Sequence, residues 1–460
     1  MKRLQMKRLL AAALAAVFAS SALPALAQDT LTLWWVKGFY KSEDDALFAA
    51  IKKFEDQTGV KVELSQYPVQ DMIPKTVAAL DSGNPPDVAY ADVYDFQVAA
   101  KWAFDGKLED ISDVITPMLD QFVPGTVSTT YLWNDKDQKR AYYAFPLKRQ
   151  TMHIEYWIDL LEKAGYKESD IPKGWNEYWD FWCTKVQDGV RKATGEKIYG
   201  TGFPMGVDSS DSFYSFLTFM DAYNVKLVDD DGKVQVDDPK VRQGLIDALG
   251  FYVSPYMKGC TPPSATTWKD PDNNVAFHNK TIVLTHNATI SIAAKWLDDS
   301  VNATLTDEQR AQAKTNYEQL IATVGFPNKP DGSPMQYRQA VKVGVIFANS
   351  KNKELGKKFV SFMLQDENLT PYVEGSLGRW FPVTTKATKS PFWDADRHRR
   401  SVRDQFAAGT VNFEFTKNYK FTILNNENVW AKAMSRVVND KVPVEQAVDE
   451  LIARIKEVAG

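Results

Sequence analysis

The sequence predicts an α/β fold with two domains. From residue 31, apolar strands alternate with amphipathic helices, a succession typical of a parallel sheet with helices on its faces. The chain has 460 residues, which is more than a single hydrophobic core usually holds, so two domains are expected. A hydrophobic share of 44% and a charged share of 25% are ordinary for a globular protein.

The first domain opens with three strands and two helices in alternation. A strand is predicted over 31–36, and then a helix over 43–58 with apolar residues at helical spacing and Gly59 as its stop. A second strand is predicted over 60–64. The next helix, over 71–80, tolerates Pro74 only in its first turn. A third apolar strand is predicted over 87–91.

The remaining elements follow the same reasoning. A helix-rich block is predicted over 155–294, with strands at 199–203 and 281–285 and a turn at 230–232 between short strands over 225–228 and 233–236. A strand over 341–348 precedes a helix that runs through residue 364, with Ser350 as its N-cap. The segment 429–458 is predicted to be helical.

Residues 1–27 have the pattern of a secretory signal. Four basic residues precede an apolar run over 9–18, and Ala25-Leu26-Ala27 provides a cleavage site before Gln28. The apolar run is too short for a permanent anchor, and no cysteine follows the cleavage site directly. We therefore expect a free periplasmic protein. The alternative is a buried N-terminal helix.

Charge and cysteine content exclude several classes of function. A net charge of −4 and a pI near 5.8 argue against a nucleic-acid partner. The four histidines lack the spacing of metal ligands, so we expect no metal site and no cofactor. Cys183 and Cys260 are the only cysteines, and in an oxidising compartment they are a candidate disulfide.

Several short motifs occur in a recognisable order. They include Leu31-Thr-Leu-Trp-Trp35, Phe54-Glu-Asp-Gln-Thr-Gly59, Ser82-Gly-Asn-Pro-Pro-Asp-Val88, Ala144-Phe-Pro146 and Gly378-Arg-Trp-Phe-Pro382. Together they resemble family 1 extracellular solute-binding proteins, the sugar receptors of ABC importers.

The resemblance implies an α/β periplasmic-binding-protein fold of type II, like maltose-binding protein, with two lobes joined by crossover hinge strands. After the signal at 1–27, it assigns 28–142 and 290–363 to the first lobe. It assigns 143–289 and 364–460 to the second lobe.

Candidate ligand contacts follow from the chemistry of sugars and from strand ends. A sugar has apolar C–H faces and many hydroxyls, so its receptor needs aromatic rings and planar polar groups. The crevice of a parallel α/β sheet lies at the carboxyl ends of the strands. These criteria and the resemblance select Trp35, Lys37, Tyr40, Asp92, Tyr94, Arg149, Glu155, Tyr214, Asp221, Trp268, His286, Asn287, Arg379 and Trp380.

Some of these residues have alternative interpretations. Asp92 could cap a helix, and Arg149 could pair with Glu155 as a structural bridge at the hinge. Trp268 is the strongest candidate for stacking on a sugar, and the pair Arg379–Trp380 matches family contacts most closely.

The sequence therefore predicts a monomeric periplasmic receptor that delivers a carbohydrate or polyol to an inner-membrane ABC permease. The chain has no Gly-x-Ser-x-Gly motif, no His-Glu-x-x-His motif and no glycine-rich phosphate loop, which argues against an enzyme. Two alternatives stay open. One is an exported carbohydrate-active hydrolase with two carboxylates. The other is a receptor for an anionic sugar derivative, held by Lys37, Lys148, Arg149, Lys269 and Arg379.

Overall fold

The computed structural model describes residues 29–460, so the predicted signal over 1–27 lies outside the described residues. Within 29–460 the strands form two sheets and one hairpin. They are β1 Thr30–Val36, β2 Lys61–Tyr67, β3 Val88–Tyr90, β4 Tyr131–Asn134, β5 Lys139–Tyr142, β6 Phe145–Gln150, β7 His153–Trp157, β8 Tyr199–Gly202, β9 Ile282–Asn287, β10 Ile321–Val324, β11 Tyr337–Ile346, β12 Phe381–Pro382 and β13 Thr410–Asn412.

Eighteen α-helices connect or follow these strands in the described part of the chain. They span Lys41–Thr58, Val69–Asp81, Ala100–Phe104, Ser112–Ile115, Ile158–Lys163, Trp175–Asp180, Gln187–Thr194, Ser210–Ala222, Pro239–Met257, Asp272–His278, Ser291–Val301, Asp307–Thr315, Lys353–Met363, Asp366–Glu374, Arg397–Ala407, Phe421–Asn426, Val429–Val438 and Val444–Ala459.

The larger sheet has the strand order β12–β6–β11–β3–β1–β2, and β13 pairs with β11. Strand β1 lies parallel to both of its neighbours, with Leu33 opposite Leu64 on β2 and Val88 on β3. Strand β11 runs antiparallel to β3 and β6. The predicted β-α-β-α-β unit is therefore confirmed, and an antiparallel half extends it. We call this sheet and the helices packed on it the first lobe.

The smaller sheet has the order β10–β7–β9–β8. Strand β8 lies parallel to β9, whereas β7 runs antiparallel to both β9 and β10. All residues of β7 and β9 are buried, because helices and the neighbouring strands enclose them. We call this sheet and its helices the second lobe. The chain passes between the lobes from β6 to β7 through Thr151 and Met152, and again from β10 to β11.

Sheet membership differs from the predicted division at three places. Strand β6 lies within 143–289, which was assigned to the second lobe, yet it pairs with β11 of the first. Strand β10 lies within 290–363, assigned to the first lobe, yet it pairs with β7 of the second. Strands β12 and β13 lie within 364–460 but belong to the larger sheet. The reason is physical: short strands join whichever sheet offers an unpaired edge, and local sequence does not reveal that edge.

Several local predictions need correction. The helix Lys41–Thr58 ends at Gly59 with a φ of 72°, as predicted, because a glycine adopts this left-handed conformation without strain. The helix Val69–Asp81 begins two residues early, so Pro74 lies in its second turn. Ser350 is not an N-cap, since Asn352 occupies that position and the Ser350 hydroxyl donates to Asp87 Oδ1 at 2.7 Å.

Two further segments are shorter than predicted. The segment 429–458 forms two helices, Val429–Val438 and Val444–Ala459, and Pro443 precedes the second as its N-cap. The predicted strands around the turn at 230–232 reduce to one bridge between Val228 and Val234. The pairing of Cys183 with Cys260 forms a disulfide within the second lobe.

Within residues 29–460, no helix combines the length and apolarity needed to cross a bilayer. The same residues contain no group of three or more His, Cys, Asp or Glu side chains arranged to hold a metal ion.

Candidate functional site

Two connected cavities lie in the cleft between the lobes. The first, the inner chamber, has a volume of about 60 Å³. The second, the outer cavity, has a volume of about 910 Å³. They form one continuous cleft, because the same six residues line both: Phe39, Val69, Asp92, Val93, Ser210 and Asp270.

The first lobe supplies one wall of the inner chamber, and Arg379 is at its centre. Gly378 has a φ of 93°, a turn that favours glycine, and it places Arg379 just before β12. Arg379 Nη1 lies 3.2 Å from Glu43 Oε1, and Nη2 lies 3.1 Å from Asp92 Oδ2. Burial disfavours the guanidinium charge, but the two carboxylates outweigh burial, so the pKa of Arg379 is raised.

Two aromatic rings hold the Arg379 guanidinium in place. Its central carbon lies 4.0 Å from the ring centre of Phe39 and 4.4 Å from that of Trp380. Cations attract aromatic faces, and the stack fixes the plane of the guanidinium. Trp380 also lines the chamber.

Two buried lysines complete this wall. Lys148 Nζ lies 3.7 Å from Asp92 Oδ1, and Lys342 Nζ lies 3.2 Å from Asp95 Oδ1. Burial raises the pKa of Asp92, but the positive charges of Lys148 and Arg379 outweigh it, so this pKa lies below its ordinary value. Each buried cation therefore has a carboxylate partner in its own lobe. The first-lobe wall consists of Asp92, Lys342, Arg379 and Trp380, which line the chamber, together with their ion-pair partners Glu43, Asp95 and Lys148.

The second lobe supplies the opposite wall, which has a different chemistry. The carboxylate of Asp270 accepts hydrogen bonds from the hydroxyls of Ser209 and Ser210, at 2.9 and 2.8 Å, and from the Asp211 amide at 3.2 Å. Burial and the nearby Asp270 raise the pKa of Asp211 well above its ordinary value. The second-lobe wall consists of Ser210, Asp211, Tyr214, Asp270, Asn274, Asn287, Thr289 and Ser291.

Three direct contacts join the two lobes around the cleft. The Tyr40 hydroxyl donates to the Ser291 carbonyl at 2.5 Å, and Lys342 Nζ donates to the Tyr214 hydroxyl at 2.7 Å. The rings of Phe96 and Phe213 stack with centres 4.9 Å apart. We call these the interlobe contacts.

The structure brings five of the predicted site residues to the inner chamber: Asp92, Tyr214, Asn287, Arg379 and Trp380. Lys37 lines the outer cavity instead, and Tyr40 lies just behind the chamber, where it contacts Ser291. The alternative role of Asp92 as a helix cap is not seen, because its carboxylate is engaged by Arg379.

Four predicted residues lie in the cores of the lobes and do not line the cleft. Trp35 donates to the Tyr372 hydroxyl at 2.8 Å, and Tyr94 bonds to Thr76 at 2.5 Å. Trp268 is buried and donates to Ser264 at 3.1 Å. His286 bonds to Ser215 at 2.8 Å within an aromatic cluster, and burial lowers its pKa to about 3. These side chains fill the cores because large rings add much buried area there.

Three charged residues from the prediction also have structural roles. Arg149 donates to the Pro382 carbonyl at 2.8 Å and stacks on Phe406, so the predicted bridge to Glu155 does not form. Glu155 accepts from the Ala293 amide at 3.1 Å, and burial raises its pKa to about 8. Asp221 pairs with Arg338 at 2.7 Å.

Sequence reasoning missed several residues of the site, among them Phe39, Lys342, Asp211 and Asp270, which line the inner chamber, and Glu43, which pairs with Arg379. A signal existed for Lys342, because it is a charge flanked by valines in the apolar part of β11, and a buried charge needs a partner. Glu43 gave no such signal, since an acid in the first turn of a helix is common.

Comparison with known proteins relates this geometry to a family. A family model described as bacterial extracellular solute-binding protein matches residues 49–401. The arabinooligosaccharide-binding protein of Bacillus subtilis (strain 168) is 26% identical over 45% of this chain and 43% of its own.

Solved structures agree on the fold. A solute-binding protein of an ABC transporter from Thermotoga lettingae TMO, bound with α-D-tagatose, has a TM-score of 0.74 and 20% identity, covering 94% of this chain and all of the other. Maltose-bound MalE3 from T. maritima has a TM-score of 0.72 and 21% identity, covering 93% and 99%. The predicted periplasmic-binding-protein fold is confirmed.

Proposed function

We propose, from the premise that this chain belongs to the bacterial extracellular solute-binding protein family, that it captures a neutral carbohydrate or polyol between its lobes and delivers it to an ABC permease. The observation that carries this proposal is the inner chamber, where polar side chains of both lobes converge. The compared proteins bind tagatose, maltose and arabinooligosaccharides.

The charges of the chamber favour a neutral ligand over an anionic one. Lys148, Lys342 and Arg379 each lie within 4 Å of a carboxylate of their own lobe. Among residues 29–460, neither Asp211 nor Asp270 forms an ion pair. A phosphate or sugar acid would therefore meet compensated cations on one wall and uncompensated acids on the other. Ligand hydroxyls suit both walls, because they donate and accept hydrogen bonds.

Unpartnered polar atoms in the walls support a polar ligand. Trp380 Nε1, Arg379 Nε and Asn274 Oδ1 are buried and have no hydrogen-bond partner in the described structure. Leaving such groups unsatisfied costs free energy. A polyhydroxylated ligand would offer acceptors to the two donors and a hydroxyl donor to the amide oxygen.

The mechanism follows from the position of the site. A ligand in the inner chamber contacts both lobes only when the lobes are together, so binding shifts the population toward the closed form. The closed surface of the two lobes is then what the permease would recognise. We place the protein in the periplasm as a monomer, with cleavage of the signal near Ala27.

The family and the compared structures are binding proteins rather than enzymes. A hydrolase is the competing candidate, because the chamber contains the carboxylates of Asp92, Asp211 and Asp270 and glycosidases act with two carboxylates. Analysis of the ligand after incubation separates the two functions.

The test is thermal unfolding of residues 28–460 against monosaccharides, oligosaccharides, polyols, sugar acids and sugar phosphates. A ligand at about 100 times its dissociation constant adds roughly 2.7 kcal/mol to the free energy of unfolding. The proposal requires stabilisation by a neutral compound that is recovered unchanged. Stabilisation by anions alone, or cleavage of the compound, would overturn it.

A matched pair of variants tests the position of the ligand. Trp380→Phe removes only the unpartnered Nε1–H and keeps an aromatic ring, so affinity should fall about fivefold, the equivalent of one neutral hydrogen bond. Trp296→Phe is the control, because Trp296 Nε1 is also buried without a partner but does not line the cleft. Equal affinities of the two variants would contradict a ligand in the inner chamber.

A further inference from the structure

The outer cavity is lined by both polar and apolar residues, and the apolar ones have a chemistry that a sugar alone does not explain. One of its sides is the helix Val69–Asp81, which contributes Val69, Ile73 and Val77. These residues are spaced four apart and therefore form a stripe along one face of the helix. The second lobe contributes Val207, Phe213 and Pro271 to the same cavity.

The aromatic residues of the outer cavity are of one kind. Within the described residues its lining includes Phe39, Phe96 and Phe213 but no tryptophan or tyrosine. Phenylalanine offers an apolar face without a polar group, whereas the hydroxyls of a longer oligosaccharide would each need a hydrogen-bond partner.

Part of this apolar surface is exposed. Phe39 is 45% exposed, Val207 44% and Val77 37%. These three come from separate segments and both lobes, yet all of them line the outer cavity. Exposed apolar residues scattered singly are normal, but a contiguous set in a cavity marks a binding site.

Two of the three asparagines that line the outer cavity are already engaged. Asn425 Nδ2 donates to the Phe96 carbonyl at 3.0 Å, and Asn428 Nδ2 donates to the Val207 carbonyl at 2.8 Å. Their amide donors are thus used within the protein, in hydrogen bonds to backbone carbonyls of the cavity lining.

We infer that the ligand is amphiphilic: a sugar or polyol head occupies the inner chamber, and an alkyl or aryl substituent attached to it occupies the outer cavity. The head rests on the proposed function. The substituent is inferred from the continuity of the two cavities, which share six lining residues, and from the apolar part of the outer cavity's lining. The chemical class is an alkyl or aryl glycoside or a polyol ether.

The test uses pairs of methyl and n-hexyl glycosides of glucose, galactose, arabinose and maltose, below the concentrations at which they form micelles. Calorimetry gives the dissociation constant of each compound. Burial of a methylene group strengthens binding about fourfold, so the hexyl compound should bind at least thirtyfold more tightly than its methyl partner.

Variants place the effect in the outer cavity. The double variant V77S/V207S should reduce the methyl-to-hexyl ratio of dissociation constants at least fivefold. The control V275S/V301S changes two valines that are 51% and 76% exposed elsewhere, and it should keep the wild-type ratio.

The outcomes distinguish this inference from the proposed function. If a methyl glycoside binds and its hexyl partner has a dissociation constant within threefold of it, the inference is overturned and the proposed function stands. If all hexyl glycosides have the same dissociation constant regardless of their sugar and no free sugar binds, the apolar site is supported and the proposed sugar-binding function is overturned. Absence of binding by every hexyl compound would overturn the inference. An equal loss of ratio in both double variants would also overturn it.

Discussion

The two walls of the inner chamber solve the problem of buried charge in opposite ways. In the first-lobe wall, Arg379 lies within 3.2 Å of both Glu43 and Asp92, so acids and bases compensate one another. In the second-lobe wall, Asp211 is buried and has no ion-pair partner among residues 29–460, and burial raises its pKa well above the ordinary value.

The difference shows how one side of a cleft can be rigid while the other side keeps hydrogen-bonding groups free for a ligand. A compensated network is held in one geometry by its own members, and it offers a ligand a preformed surface. An uncompensated carboxyl group keeps hydrogen-bonding capacity that a ligand can use. The same contrast extends to Glu155, a fully buried acid of the second lobe whose neighbours within hydrogen-bond distance are neutral.

The strongest test of the comparison is Arg379→Ala. Removal of the guanidinium leaves Glu43 and Asp92 in one buried site without their shared cation. Breaking a buried ion pair costs about 3–5 kcal/mol, so the free energy of unfolding in urea should fall by that amount. Arg140→Ala, at an exposed position, is the control. A loss no larger than that of the control would show that the first-lobe wall is not a compensated network.

The second lobe has a covalent constraint that can be removed separately. Replacing Cys183 and Cys260 by serine opens the link between them and should lower the free energy of unfolding by about 2–4 kcal/mol. Calorimetry measures the change, and mass spectrometry after alkylation reports the thiols of the wild-type protein. Two free thiols before reduction would contradict the disulfide.

Glu155→Gln tests the uncompensated acid through pH. Burial raises the pKa of Glu155 from 4.5 to about 8, so the folded protein holds a proton that the unfolded chain releases. The resulting stabilisation is complete below pH 4.5 and is lost as the pH rises to about 8, at about 1.4 kcal/mol per pH unit. In the Glu155→Gln variant, the free energy of unfolding should not show this fall between pH 4.5 and about 8. Glu318→Gln, an exposed control, should keep it. Parallel slopes for Glu155→Gln and the wild type would refute the raised pKa.

The smallest effects are expected at the interlobe contacts. Tyr40→Phe and Tyr214→Phe each remove one hydroxyl that joins the lobes, at a cost near 1 kcal/mol. The closed form should become less populated, so apparent affinity should fall about fivefold in each variant. X-ray scattering in solution should show a larger radius of gyration without ligand. Tyr131→Phe, at an exposed tyrosine, should change neither quantity.

Local pattern predicted the first half of the larger sheet well. The segments 31–36, 43–58 and 60–64 have regular periodicity and a glycine stop, and neighbouring strands form the parallel unit. Strand β12 could not be predicted in this way, because its two residues form a strand only by pairing with the edge of β6.

The site was predicted where a polar residue follows a strand. Asp92 and Asn287 were found by that rule, and both line the inner chamber. Trp35 and His286 were also selected at strand ends but lie in the cores, because large rings are used both in the core and in the cleft. Asp211 was missed, since it stands at the start of a helix and approaches the chamber only through tertiary packing.

The interlobe contacts have a consequence for the energetics of transport. Tyr40, Lys342 and Phe96 reach partners in the opposite lobe through atoms of the chain itself. Such contacts lower the free energy of the closed conformation even when no ligand is bound. In the proposed importer, an empty receptor in this form would offer the permease a surface similar to that of the loaded one. The strength of the interlobe contacts, together with the Arg338–Asp221 ion pair, would thus help to set how often an empty receptor is closed.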